Sequence, residues 1–345
     1  MSASNIQTKK NKKTICCPPT YLDNMMSLFS VPAGGNNETV ISMYIIRYLN
    51  EHNISYYIDA YNNIIARKGS GQTFATYVCH IDTVHDYTDG YHVAMSNRHI
   101  IAYNDSQTQI GCGGDDKCGV WTCLQLLIHV DNVLCVFFSR EETGGEGSTN
   151  IDIDVFSRSR FIAGIDRWGN CDIVNEYYGE ITVSDEFMSR IKKVRKAYGY
   201  TYNYGMFTDA LNLYERDVGL SCINVSCGYY AHHSSQEYVD VDELYTCLLL
   251  CIELSTLTDI FYHTGTPSKK QKSFTPRYLG GYHSSNEEYC SECGTILYAD
   301  ETGKCGTCRI LKPTTCDYCE AELFTEHELK YRCCAECEAE LLELK

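Results

Sequence analysis

Five short segments of this chain each follow or close an apolar run and then present residues that bind metal ions: His80-Ile81-Asp82, Asp115-Asp116-Lys117, Glu141-Glu142, Asp166 and His233. Short apolar runs punctuated in this way read as strands buried in an open α/β sheet, and such sheets gather ligands outside the carboxyl ends of their strands. Two histidines, three carboxylates and a spare glutamate suffice for two zinc ions and a general base. This series predicts a metal-dependent hydrolase.

The periodicity around the series supports that architecture. Helices are expected near 21–30 and 38–52, followed by strands over 54–60 and 62–67 joined by a tight turn. Residues 76–79 form a buried strand delivering His80, and 90–103 alternate like a hairpin. The Gly-rich segment Gly111-Cys112-Gly113-Gly114 leads into Asp115 and a helix over 117–130. Further strands at 133–138, 161–165 and 221–226, with helices near 185–198 and 241–258, complete the alternation. The expected fold class is α/β: a three-layer α/β/α sandwich with a mixed, mostly parallel sheet, plus a small zinc-ribbon tail. Residues 1–20 read as a flexible basic arm, 21–260 as the catalytic domain, 261–287 as a linker, and 288–312 and 313–345 as two ribbons.

At 345 residues, 44% of them hydrophobic, the chain can bury a sizeable core. A formal net charge of -16 disfavours a nucleic-acid surface, and the lysines at 9, 10, 12, 13, 269, 270 and 272 read as solvated arm and linker charges. No run approaches the roughly 20 apolar residues of a membrane span, and no apolar segment follows the amino-terminal lysines. The 21 cysteines are dispersed through apolar segments or gathered in Cys-x-x-Cys pairs. That usage fits a reducing, cytoplasmic setting.

The strings Cys79-His80-Ile81-Asp82-Thr83-Val84, Gly114-Asp115-Asp116-Lys117-Cys118-Gly119, Glu141-Glu142-Thr143-Gly144 and His233-Ser234-Ser235-Gln236-Glu237 resemble the zinc-exopeptidase superfamily, which includes peptidase T, the acetylornithine deacetylase relatives and the di-zinc aminopeptidases. The resemblance covers about residues 21–258 and keeps the family's order. It implies that His80 and Asp166 bind one metal, Glu142 and His233 the other, and that Asp115 bridges both. It also implies Glu141 as the catalytic base, and Asp82 as the partner that orients His80. The cofactors implied are two catalytic zinc ions, or cobalt or manganese in their place. His233 is preferred to His232 because the family places an acid four residues later, here Glu237.

Departures from the family's pattern also inform the reading. The interval 167–232 is too short for a lid domain in addition to core elements. Asp at position 166 tilts the substrate toward a short peptide with a free amino terminus. An N-acyl amino acid deacylase or carboxypeptidase is the alternative, needing a cation for a substrate carboxylate; Arg140, Arg167 and Lys117 are candidates. A third reading is an inactive adaptor, against which Glu141 argues. Thr208-Asp209-Ala210 resembles the family's Thr-Asp-Gly turn, with Met206-Phe207 replacing its Gly-Gly prefix, and leaves Asp209 between a substrate role and a helix cap.

In the tail, Cys290, Cys293, Cys305 and Cys308 form one four-cysteine set, and Cys316, Cys319, Cys334 and Cys337 a second. Two such knuckles close a tetrahedron around a structural zinc, so two structural ions are expected. The acidic surface of the tail favours a protein partner or self-association over nucleic acid.

Overall fold

The computed structural model describes residues 15–34, 38–85 and 87–263. The expected ribbons with their eight cysteine ligands lie outside the described residues, as do the arm before residue 15 and the linker beyond residue 263. In chain order the first elements are α1 (Pro19–Phe29), α2 (Thr39–Glu51), β1 (Ser55–Ile58), β2 (Ile64–Lys68), β3 (Phe74–His80), β4 (His92–Ser96), β5 (His99–Tyr103) and β6 (Gln109–Ile110). They continue with α3 (Gly114–His129), β7 (Val133–Phe138), α4 (Glu146–Asn150), β8 (Ser159–Arg167), β9 (Asp172–Tyr177), β10 (Glu180–Ile181) and α5 (Asp185–Ala197). Last come β11 (Thr201–Gly205), α6 (Asp209–Glu215), β12 (Cys222–Ser226), β13 (Tyr229–Tyr230), β14 (Tyr238–Asp240) and α7 (Val241–Leu254).

Nine strands form the main sheet in the order β1-β2-β7-β3-β8-β12-β9-β10, with β11 paired to β9. Its centre, β7-β3-β8-β12, is parallel, while β1-β2-β7 and β12-β9-β10 run antiparallel on the flanks. The central strands are apolar at nearly every position because both their faces are covered. Along β7, Val133, Cys135 and Phe137 enter one core, while Leu134, Val136 and Phe138 enter the other. This is the two-residue period of a strand. Each such buried Leu, Val or Phe contributes about 1.5–3 kcal/mol, so both faces need helical cover.

That cover is unequal. On one face α3 packs against β3, β7 and β8, with α7, α1 and α2 outside it. Residues 114 to 127 of α3 are all buried, as expected of a helix with neighbours on every side. Trp121 donates its indole N–H to Asn24 on α1. Among the described residues, the other face carries only the short helices α4 and α6 and a turn of 3-10 helix at Ile153–Phe156. The result is an α/β/α sandwich with one thick and one thin outer layer.

A smaller sheet, β13-β14-β5-β4 with β6 on β5, holds the expected hairpin of 90–103 and pairs it with the segment just after His233. In the interval 167–232, β9 to β12 join the main sheet, α5 packs on α7, and α6 packs on β12. The tight turn between β1 and β2 forms around Asp59, whose carboxylate accepts from the backbone N–H of Tyr61 and Asn63, with Asn62 left-handed at φ 65°. All twelve cysteines among the described residues are free thiols. No described helix is long and apolar enough to cross a membrane.

Candidate metal centre

Strands β7, β3 and β8 are sheet neighbours that run in one direction, with His80 in register with Phe138. Residues following their carboxyl ends therefore emerge side by side. β3 delivers His80 as its last residue, β7 leads into the Ser139–Glu142 turn, and β8 carries Asp166 next to its end. Asp115 reaches the same place from the start of α3. There Gly113 is left-handed at φ 69°, and a Cβ on Gly114 would lie 2.8 Å from Tyr229 and Val239 side-chain atoms. Only glycine lets the backbone approach that closely.

His80 Nε2 lies 3.0 Å from Asp115 Oδ1 and 3.7 Å from Asp166 Oδ1. His233 Nε2 lies 3.0 Å from Glu142 Oε1 and 3.3 Å from Asp115 Oδ2. Asp115 thus turns one carboxylate oxygen to each histidine. Two three-residue donor sets result, His80–Asp115–Asp166 and Asp115–Glu142–His233, each with its ligand atoms within 4.8 Å of one another. His80 also groups with Glu141 and Glu142. His232 instead meets Tyr229 and His233 edge-on.

The residues behind the donors are as ordered as the donors themselves. His80 Nδ1 is 3.0 Å from the backbone oxygen of Asp82 and 3.3 Å from its carboxylate. The Asp82 carboxylate does more elsewhere: it accepts from the backbone N–H of Glu141 at 2.9 Å and of Glu142 at 3.0 Å. Its bearing on His80 therefore runs largely through its main chain, and its side chain fixes the turn that holds both glutamates. Asp166 accepts hydrogen bonds from Thr208 Oγ1 and the Tyr229 hydroxyl, both at 3.2 Å. Asp116, buried beside Asp115, accepts from the backbone N–H of His80 and Gly119.

Glu237 is fully buried and accepts three donors: the Gly113 N–H at 2.7 Å, the Asp115 N–H at 3.1 Å and His85 Nε2 at 2.9 Å. It ties the start of α3 to the segment after His233. His85 has no counterpart in the sequence reading. It follows no apolar run, and the one hint available was its place three residues after Asp82.

Crowding sets the protonation of the cluster. Burial would push the His80 pKa down, but contacts with Asp115, Asp166 and Asp82 raise it well above the usual imidazole range. His233, with burial similarly outweighed by Asp115 and Glu142, is raised to about 11. Burial pushes the Asp115 carboxyl up, and the bonds from His233 and His80 more than reverse this. Burial raises Glu141 well above the ordinary carboxyl range. The protein surrounds these imidazoles with a field that calls for positive charge.

The three cations named for a substrate carboxylate are all engaged elsewhere. Lys117 is buried, and its Nζ donates to the Tyr91 hydroxyl at 2.8 Å and to the Phe29 and Cys112 carbonyls at 3.2 Å. Burial pushes its pKa down to about 7. Arg140 pairs with Glu146, and Arg167 pairs with Asp172 while lying over Trp168. Asp209 is the first residue of α6 and is buried, with Oδ1 left without a hydrogen-bond partner and its pKa raised to about 7 by burial. Its side chain does not cap the helix.

No protein-family model matches the chain, and no curated protein matches its sequence. Solved structures do match its fold. The aminopeptidase PepT from Bacillus cereus superposes with a TM-score of 0.56 at 13% identity, over 67% of this chain and 96% of that one. A tripeptidase from Staphylococcus aureus gives 0.54 at 13% identity over 68% and 97%. An aminopeptidase from the archaeon Desulfurococcus kamchatkensis gives 0.52 at 17% identity over 69% and 95%. The chain shares the α/β fold of these peptidase structures.

Proposed function

We propose that this chain is a two-metal aminopeptidase acting on short peptides. The observation that carries the reading is Asp115, whose two carboxylate oxygens each face a different histidine and so join two donor sets. The donor chemistry fits zinc, or cobalt or manganese. The Nδ1–H of His80 donates to the Asp82 carbonyl, which leaves the Nε2 lone pair facing carboxylate oxygens. Lone pairs facing one another at 3.0–3.7 Å need a proton or a cation between them. His80 and Asp166 would hold one ion, Glu142 and His233 the other, and Asp115 both.

When bound, such ions supply the Lewis acidity that amide hydrolysis requires. Glu141 takes the proton of the attacking water and returns it to the leaving nitrogen. Asp82 keeps Glu141 and Glu142 in register through their backbone N–H groups. The surrounding carboxylates favour a substrate bearing a free ammonium group, and the engagement of Lys117, Arg140 and Arg167 weakens the deacylase and carboxypeptidase readings.

The test is hydrolysis of matched amino-acid amides, free or acetylated at nitrogen, by zinc-loaded protein beside a Glu141→Gln variant. Turnover of the free forms alone, lost in the variant, is expected. Turnover of the acetylated forms alone would make the chain a deacylase instead, and a variant as active as the wild type would remove Glu141 from the mechanism.

A further inference from the structure

Large apolar side chains in contact with water usually mean something only when they cluster at a site. Four of them lie within two residues of Asp82, of Asp166 or of Thr208, which bonds Asp166. Val84 lies two residues after Asp82 and is 44% exposed; Trp168 lies two residues after Asp166 and is 37% exposed. Met206 and Phe207, 65% and 40% exposed, immediately precede Thr208, which hydrogen-bonds Asp166. Other exposed large side chains, such as Met43 on α2 and Tyr57 on β1, belong to elements that supply no ligand.

Phe207 has the most defined position of the four. A Cβ on Gly145 would lie 2.8 Å from its Cζ, so the tip of the ring rests against the turn that carries Glu141 and Glu142. Its main chain adjoins Thr208, on the Asp166 side. The ring therefore runs from beside Thr208, which bonds Asp166, to Gly145, three residues after Glu142, with part of its surface open to solvent. Gly145 is left-handed at φ 66°, and the absence of a side chain there is what admits the ring.

We infer that Phe207 is a specificity-determining residue, the apolar wall against which the first side chain of the substrate packs, and that the substrates are peptides beginning with a large apolar residue such as leucine or phenylalanine. This rests on the aminopeptidase reading and adds the substrate class to it. The wall formed by Phe207 meets the first side chain of such a peptide. A pocket of this kind discriminates by the apolar area it covers, so the preference is graded rather than absolute.

The experiment compares kcat/KM for the p-nitroanilides of leucine, phenylalanine, alanine and glycine in the wild type, Phe207→Ala and Phe207→Leu. Beside it, calorimetry measures binding of the hydroxamates of the same amino acids. The wild type should favour leucine over alanine by about tenfold or more, and Phe207→Ala should reduce that ratio to about twofold, mainly through KM. Phe207→Leu should restore most of the preference. An equal loss for all four substrates in Phe207→Ala would reduce Phe207 to a packing role and overturn the inference. If the wild type turns over none of the anilides yet binds leucine hydroxamate more tightly than glycine hydroxamate, the aminopeptidase reading fails and the apolar wall stands. Equal binding of all the hydroxamates by the wild type would remove the wall whatever the turnover.

Discussion

The His80 half and the His233 half of the centre use the same ligand types but rest on different supports. His80 and Asp166 are strand residues in the parallel centre of the sheet, and the His80 side chain is 1% exposed. His233 stands on a loop between β13 and β14, left-handed at φ 58°, with its side chain 47% exposed. Asp115 belongs to both. One set of donors is held on strands and the other on a loop. Sites built on strands and helices are held more exactingly than sites on loops, so the two ions should differ in how readily they leave.

The largest expected effect tests whether the halves act together. Glu141→Gln should lower kcat by about 10²–10⁴-fold, while metal analysis finds as many ions per chain as in the wild type. A variant that also lost an ion would make Glu141 a ligand and blur the division between the halves.

The histidines separate the halves directly. In chelator, His80→Ala should destabilise the metal-free protein by about 2–3 kcal/mol, because buried carboxylates lose their partner, and His233→Ala should cost less, because its side chain is half exposed. Urea unfolding reads the difference. Each variant should bind one ion fewer, and on chelator titration of the wild type the ion at His233 should leave first. Equal destabilisation by the two substitutions would end the distinction.

Asp82→Asn is expected to cost about 10–100-fold in metal affinity or activity, since the turn bearing Glu142 and Glu141 loses one of its two acceptor oxygens and meets an amide N–H instead. The loss should fall more on the ion held by Glu142, measurable by competition with a chromophoric chelator.

A separate, pH-dependent effect concerns Lys117, on the helix that carries Asp115. Its pKa falls from 10.5 to about 7 through burial, so between those values the unfolded chain binds the extra proton. Stability should therefore rise as pH increases from 7 toward 10.5, by at most about 1.4 kcal/mol per pH unit, and be insensitive to this group below pH 7. Lys117→Met should flatten that rise in chemical unfolding followed across the range.

His80, Glu142 and Asp166 stand out as candidates in the sequence because each follows the apolar run of a buried strand, whereas Asp115 and His233 end no such run and are nominated through the resemblance. The same reasoning located the central strands and both long helices of the thick layer. It could not give strand direction on the flanks, since β2 and β9 carry no sign of being antiparallel in their composition. Lys117 was offered for substrate contact because lysines usually face water; α3 is buried on every side, so its sequence has no polar face to correct that expectation. The Glu237–His85 pair was illegible for another reason. It exists only once β14 has paired with β5, a contact between segments far apart in the chain.

One feature of the main sheet bears on how the chain is made. β12 lies between β8 and β9, yet it is synthesised after both. While the ribosome adds the intervening residues, β8 holds an unpaired edge beside Asp166, and at about 5–20 residues per second that state lasts several seconds. Closure of this gap and arrival of His233 follow one another within a few residues. The open edge of β8 is available to another unfinished chain over the same interval.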